Sequence, residues 1–398
     1  MTPGYAARVR PRPRFLYVGN SAAYFLTHRL PAMRALREAG YEVAAAVPEQ
    51  GDVLDELVGE GRESTTSRIR ALGFEVHGLP LSRGGRAPLV EARAAAAIAA
   101  LYARWRPDLA YHATMKPVLY GGLAARATRV PAAIFAVTGL GYLFLAEGAR
   151  ARAMRVAVRA ALRAALGHPN ARVVFQNEDD REGFVRERLV AREQTRIIPG
   201  SGVDVDRFHV EPEPERPVVV LPSRLLWDKG VGELVAAARV VRARGFDARF
   251  ALVGDPDPVN PAAIDRATLE GWTREGIVEH WGWRNDMPRV FAEATIVCLP
   301  SYREGMPKAV LEGLAAGRPV VTTDVPGCRA AVEHDVTGLL VPPRDALALA
   351  DALCRLLASR ELRARLGRAG RHAAEARFST RVVIELTVRL CDELVGRR

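Results

Sequence analysis

The chain has 398 residues, 49% of them hydrophobic and 26% charged, with a formal net charge of +11. That length accommodates two core-bearing domains, since one usually takes about 100–200 residues, and the composition is ordinary for a soluble globular protein. Four widely spaced cysteines (Cys298, Cys328, Cys354, Cys391) without a CxxC, and eight histidines without an HExxH or a close pair, exclude a disulfide scaffold and argue against a metal site.

Residues 1–13 are basic and lack the apolar stretch of a secretory signal, so a disordered tail is expected there. From residue 14 onward, apolar runs alternate with helix-period segments. FLYV (15–18) precedes THRLPAMRALREAG (27–40), YEVAAAV (41–47) precedes VLDELVGEG (53–61), and FEVHGLPL (74–81) precedes an Ala-rich helix over 89–105. DLAYHAT (108–114), YGGLAARA (120–127), PAAIFAVTG (131–139), a long helix over 147–167, ARVVFQN (171–177) and TRIIPG (195–200) continue the series. Strands alternating with helices imply parallel strands joined by helical crossovers, an α/β open sheet.

Three prolines among charges in EPEPERP (211–217) read as a linker between a domain over 14–210 and a second over 218–378. The pattern restarts with VVVLPS (218–223), GVGELVAAARVVRARG (230–245), ARFALVGD (248–255), TIVCLPS (295–301), PVVTTD (319–324) and GLLVPP (338–343). Residues 379–398 are expected to form a last helix that crosses back to the first domain. Two such halves predict two Rossmann-like domains facing across a cleft, where doubly wound sheets gather their ligands. Neither half has a GxGxxG after its first strand, so a dinucleotide site is not supported. No run of about 18 apolar residues is present to span a bilayer.

The stretch SYREGMPKAVLEGLAAGRPVV (301–321) puts Glu304 on a loop after a buried strand and Glu312 inside the next helix. That helix is expected to begin at Pro307, a favoured first position. Its free N–H groups and dipole point into the loop residues Gly305 and Met306 and make an anion pocket, to which Lys308 adds a full charge. Two carboxylates aimed at a phosphate would repel it. They fit a ligand with hydroxyls on either side of a diphosphate, a nucleotide sugar: Glu312 accepts from the ribose and Glu304 from the transferred sugar. PSRLLWDKG (222–230) sets Arg224 at a strand end and Lys229 five residues on, both able to converge on that diphosphate. One oriented donor at a developing charge is worth about 3–4 kcal/mol. The bland alternative is a set of solvated side chains near helix starts.

EGMPKAVLE (304–312) resembles the E-x7-E motif of family 4 glycosyltransferases, which have the GT-B fold. Residues 297–329, GDPDP (254–258), GWRND (282–286) and GLLVPPRD (338–345) are similar to that family as well. The resemblance implies a retaining, metal-independent enzyme without a cofactor. In it Arg224 and Lys229 clamp the donor diphosphate, Glu304 orients the sugar, and Gly282 and Arg284 border the nucleobase pocket. Trp283 between them is expected to pack rather than to stack on a ligand.

YHATMKPVLYGG (111–122) resembles the TxKPxxYG stretch of a subset that builds polyprenyl-diphosphate-linked oligosaccharides; 25–43 and TGLGYLF (138–144) are similar to the same subset. This implies that Lys116, with Thr114 and Tyr120, meets an acceptor diphosphate or the sugar end of the donor. It also implies that His112 lies beneath the transferred sugar, unless it merely packs, and that His28 and Arg29 line the acceptor side or hold a helix face. Two departures stand out. The loop GNSAAYF (19–25) lacks the family's paired glycines, and Ala330 stands where related sequences often show Glu.

The expected function is transfer of a hexose or N-acetylhexosamine, from a nucleotide donor that is expected to be UDP, to a lipid-linked or other glycan at the cytoplasmic face of the inner membrane. Rival readings are a nucleotide-sugar epimerase of the same architecture and a non-catalytic basic binder of nucleic acid or lipid. Of the 57 basic residues 54 are arginine, and Arg152, Arg155, Arg159 and Arg163 form one stripe on the helix over 147–167. The stripe suits anionic lipid headgroups or a plain solvated face. No helix-turn-helix, zinc-finger or RNP pattern speaks for nucleic acid.

Overall fold

The computed structural model describes residues 12–49, 64–81, 88–138, 149–257 and 260–397. They fall into two compact units, one comprising the chain up to Ile198 together with Val383–Arg398, the other Pro199–Val382.

In the first unit the strands are β1 (Arg14–Val18), β2 (Glu42–Val47), β3 (Glu75–Gly78), β4 (Leu109–Ala113), β5 (Ala132–Val137), β6 (Ala171–Phe175) and β7 (Thr195–Ile197). They form one parallel sheet in the order β3-β2-β1-β4-β5-β6-β7. Helices cover both faces, which is why the central strands read as continuous apolar runs rather than alternating ones. Phe15 and Tyr17 enter the core on one face; Leu16 and Val18 enter the core on the other. The crossover helices start where short polar side chains cap them: Ser64 Oγ accepts from the Ser67 N–H at 3.2 Å, and Asn177 Oδ1 from the Asp180 N–H at 2.8 Å.

The last helix, Thr380–Val395, buries Val383, Leu390, Cys391, Leu394 and Val395 in the first unit's core. Their spacing draws one apolar stripe along a 3.6-residue period. Polar contacts fix its register: the Tyr41 hydroxyl donates to Asp392 at 2.8 Å, and Glu393 pairs with Arg172 at 2.5 Å and Arg196 at 3.1 Å.

The second unit repeats the plan with β8 (Val218–Pro222), β9 (Arg249–Val253), β10 (Glu279–Gly282), β11 (Ile296–Leu299), β12 (Val320–Thr323) and β13 (Gly338–Val341). Their order is β10-β9-β8-β11-β12-β13, again all parallel. The strand order reverses between β8 and β11, and between β1 and β4 in the first unit. A doubly wound sheet opens its ligand crevice at such a point, at the carboxyl ends of the strands.

Several expectations are amended. The division between units falls at Ile198 and Pro199, ahead of the proline-rich 211–217, which belongs to the second unit. Arginines of that unit hold the segment and the residues before it: Arg318 donates to the Pro212 carbonyl, Arg363 chelates Glu213, and Arg371 donates to the carbonyls of Val205 and Phe208. Of the expected tail, residues 1–11 lie outside the described residues, but the buried Pro13 already joins the sheet through its carbonyl, which accepts from the Glu42 N–H at 3.0 Å. VLDELVGEG and, apart from Thr138, TGLGYLF also lie outside them.

The basic helix runs Ala149–Leu166. Arg159 is engaged with Glu187 at 2.7 Å, and Arg163 donates to the carbonyls of Glu187 and Arg188. These two therefore hold a neighbouring turn, while Arg152 and Arg155 fall outside the described side chains. Among the described residues no helix is long and apolar enough to cross a membrane.

Candidate active site

At the switch point of the second unit the loops after β8 and β11 are pressed together. Gly230 follows Lys229 with φ 73°, and a Cβ there would come within 2.2 Å of the Pro300 carbonyl oxygen. Only glycine allows both that backbone and that approach. Tyr302 ties the two loops further. Its N–H donates to the Asp228 carbonyl at 2.9 Å, its hydroxyl to Glu233 at 2.6 Å, and the Arg344 guanidinium lies 4.6 Å from its ring centre. Burial and the Glu233 hydrogen bond push the Tyr302 hydroxyl up to about 12, so it stays a donor at every working pH.

The consequence is that two residues 75 apart in sequence meet: Lys229 Nζ donates to Glu304 Oε1 at 2.6 Å. Both side chains are largely shielded, 19% and 13% exposed. On the same edge, Arg224 follows β8 and turns to the β9 loop, where it pairs at 2.5 Å with Asp257, only 2% exposed. Among the described residues the second oxygen of Asp257 has no hydrogen-bond partner.

The helix after β11 spans Lys308–Ala315, with Pro307 as its N-cap rather than its first residue, one position later than expected. Lys308 Nζ lies 3.7 Å from Glu312 Oε1, one turn on. Glu312 is 9% exposed. Burial pushes its carboxyl above the usual glutamate range, against the opposing pull of Lys308 and Arg207. Met306 packs beside Gly200, and the loop at Glu304 and Gly305 is backed by Gly327, whose φ is 82° and on which a Cβ would come within 2.5 Å of the Glu304 carbonyl oxygen, so no side chain fits. Arg224, Lys229, Glu304, Gly305, Met306, Lys308 and Glu312 thus all lie along the carboxyl edge of one sheet.

Gly282 ends β10 and Arg284 follows it on that edge. The Gly282 carbonyl accepts from the Gly254 N–H at 2.8 Å, which sets GWRND beside GDPDP. Arg284 is chelated by Asp286 at 2.7 and 2.6 Å, and this hydrogen-bonded contact holds the Asp286 carboxyl down at about 2. Trp283 is 45% exposed, so the packing expected of it is not what the fold provides; Trp281 is the neighbour that packs.

In the first unit, Thr114 follows β4 and caps the helix Met115–Ala127 with φ 74°, a strained value for a β-branched residue, and its buried hydroxyl has no partner among the described residues. Lys116 pairs at 2.6 Å with Glu91, and Tyr120 hydrogen-bonds to the same carboxylate. Glu91 escapes sequence reading because nothing local marks it; it comes from another helix, 25 residues earlier.

His112 is corrected. It is fully buried, with Nε2 2.6 Å from the Tyr102 hydroxyl, Nδ1 3.1 Å from the Ile134 carbonyl, and its ring stacked on Phe135. Burial lowers its pKa to about 3, so it is a neutral packing residue with no surface for a sugar. Arg29 is likewise 5% exposed, lying against Tyr24 and Tyr111. His28 stacks on Tyr24 with ring centres 4.4 Å apart. Both sit in a π turn, Phe25–Arg29, and the geometry favours the helix-face alternative for Arg29.

Among the described residues no group of three or more His, Cys, Asp or Glu is placed to hold a metal ion. What the second unit offers instead is fixed positive charge beside carboxylates, at a switch point.

Two sheets of this order with such an edge define a GT-B glycosyltransferase. Residues 14–167 match the family model "Glycosyl transferase 4-like" and residues 216–359 match "Glycosyl transferases group 1". The chain belongs to the family 4 glycosyltransferases.

It is 26% identical over 396 residues to the N,N'-diacetylbacillosaminyl-diphospho-undecaprenol alpha-1,3-N-acetylgalactosaminyltransferase of Campylobacter jejuni, covering 96% of this chain and 99% of that one. To the UDP-Gal:alpha-D-GlcNAc-diphosphoundecaprenol alpha-1,3-galactosyltransferase of Escherichia coli it is 24% identical, over 63% of this chain and 66% of that one. HepE of Anabaena, solved with UDP-glucose, superposes with a TM-score of 0.71 at 19% identity, over 96% and 99% of the two chains. The epimerase and the non-catalytic binder give way to these matches.

Proposed function

We propose that this enzyme moves a hexose or N-acetylhexosamine from a UDP-sugar to a hydroxyl of a polyprenyl-diphosphate-linked or similar glycan, with retention of anomeric configuration and without a metal. The observation that carries the donor site is the 2.6 Å contact of Lys229 with Glu304. It joins the residue type that suits a diphosphate to the residue type that suits sugar hydroxyls. The identity of the sugar nucleotide rests on the relatives whose names include UDP-Gal or UDP-glucose. The acceptor class rests on the undecaprenol-linked substrates named for two of them.

In this reading Lys229, Arg224 and Lys308 bind the diphosphate. Glu312 accepts from the ribose hydroxyls, and Glu304 exchanges part of its contact with Lys229 for hydroxyls of the sugar. The bond between the anomeric carbon and the diphosphate oxygen breaks. The acceptor oxygen bonds to the same face of that carbon, and its proton passes to the departing diphosphate. No protein nucleophile is needed, and the cations stabilise the charge as it grows on the leaving group. Lys116, oriented by Glu91, serves the acceptor's diphosphate from the first unit. Engagement with the inner membrane face would come through the acceptor's lipid.

Isothermal titration and steady-state kinetics with UDP-sugars test the donor site. Glu312→Ala is expected to weaken UDP binding about tenfold or more, the scale of one lost charge-assisted contact. Lys229→Ala is expected to lower kcat about a hundredfold. Unchanged affinity and rate in both variants would refute the assignment, and product of inverted configuration would refute retention.

A further inference from the structure

The second unit has a cavity of about 430 Å³ that does not belong to the carboxyl edge. Its lining residues 210–213 precede β8, and Gly317 and Arg318 precede β12. In an all-parallel sheet, residues ahead of the strands lie at the opposite edge from the loops that follow them. The cavity therefore sits at the far end of the sheet from Lys229 and Glu304.

Its third wall is one face of the helix Arg360–Ala373. Positions 360, 363, 367, 368 and 371 recur at helical spacing on that face. A Cβ on Gly367 would come within 2.1 Å of the Gly317 carbonyl oxygen, so the helix meets the turn before β12 backbone to backbone at the floor of this wall.

Five arginines line this space against two glutamates, Glu211 and Glu213. Three of the five form a fixed frame. Arg363 chelates Glu213 at 2.9 and 2.7 Å, Arg318 donates to the carbonyls of Phe291, Ala292 and Pro212, and Arg371 holds Glu375 and the Ala315 carbonyl. The other two are different. Arg360 and Arg368 are exposed, and neither has a hydrogen-bond or ion-pair partner among the described residues. They lie eight residues apart, two helical turns or about 12 Å along the axis, at the rim of a hollow whose carboxylates are outnumbered.

Two uncommitted planar donors beside a concave, positively framed cavity match a phosphate group, which guanidinium binds through paired N–H groups. The volume is in the range of small-molecule sites, about 300–1,000 Å³. We propose that this cavity binds a soluble phosphate ester or pyrophosphate, held by Arg360 and Arg368, at a second anion site separate from the donor pocket.

Calorimetric titration of the full chain with inorganic pyrophosphate tests it. Four proteins are compared: wild type, Arg360→Gln with Arg368→Gln, Ala364→Trp to fill the hollow, and Lys229→Ala in the donor pocket. Ala364 is an exposed lining residue, so its replacement spares the core. A binding event that survives Lys229→Ala and weakens about tenfold or more in both cavity variants supports the site. Cavity variants that bind like wild type, or loss of all binding with Lys229→Ala alone, would overturn it. So would cavity-dependent capture by phosphatidic acid vesicles with no binding of soluble pyrophosphate, since the occupant would then be a lipid headgroup. UDP titrated into the same set reports on the donor pocket separately, because the cavity variants keep their UDP affinity whichever way the pyrophosphate result falls.

Discussion

Glu312 holds a carboxylate where little water reaches it, and its raised pKa follows from that burial. The folded chain binds this proton more tightly than the unfolded chain. The associated stability is therefore fully present below the ordinary glutamate range and is lost as pH rises through the folded value. Glu312→Gln, which cannot ionise, is expected to raise the melting temperature at about pH 8 relative to wild type and to flatten its pH dependence, while UDP binding weakens. Differential scanning calorimetry across pH, beside a UDP titration, checks both halves. His112 behaves in the opposite sense. Its pKa of about 3 means the unfolded chain takes up a proton that the core refuses, so the first unit loses stability as pH falls below the usual histidine range. His112→Ala leaves the Tyr102 hydroxyl unpaired and a void against Phe135, at a cost of about 2–4 kcal/mol in urea unfolding, with the donor KM unchanged. A large rise in that KM with stability intact would return His112 to the site. The motif letters placed His112 beside the chemistry; only its neighbours show that it packs.

The loops after β8 and β11 bring the proposed donor residues together, and glycines set how close they come. Gly230 stands at φ 73° against the Pro300 carbonyl. Gly230→Ala is expected to cost about 2–4 kcal/mol of stability, from left-handed strain plus displacement of a backbone atom. It should also lower kcat through the adjacent Lys229, measurable by denaturation and by initial rates on the same sample. Strand and helix positions were legible because parallel strands buried on both faces read as apolar runs, and crossover helices keep a 3.6-residue period. Pro307 was misplaced by one residue because proline suits both the cap and the first turn. The arginine stripe read as a free surface since periodicity reports which residues share a face, not what that face meets; Glu187 and the carbonyl of Arg188 are what Arg159 and Arg163 meet.

At the scale of the molecule, two sheets share one winding order, β3-β2-β1-β4-β5-β6-β7 and β10-β9-β8-β11-β12-β13. The residues proposed for the donor belong to Pro199–Val382, and those proposed for the acceptor belong to the other unit. UDP is accordingly expected to slow amide exchange within 199–382 and to leave most of 14–198 unchanged, as read by hydrogen-exchange mass spectrometry. The last helix supplies Leu390 and Leu394 to the first unit's core. Leu390→Ala with Leu394→Ala should make amides of 14–198 exchange well before those of 199–382, each cavity costing about 2–5 kcal/mol. Sequence by itself determined the α/β class, the doubling of the fold and the family, because apolar periodicity and the E-x7-E stretch are local along the chain. Only the tertiary structure decided the pairings: Lys229 with Glu304, Lys116 with Glu91, Arg224 with Asp257, and His112 with the core. Those depend on which strands lie side by side and how closely their loops pack. Contacts spanning 25 to 75 residues leave no mark on the sequence around either partner.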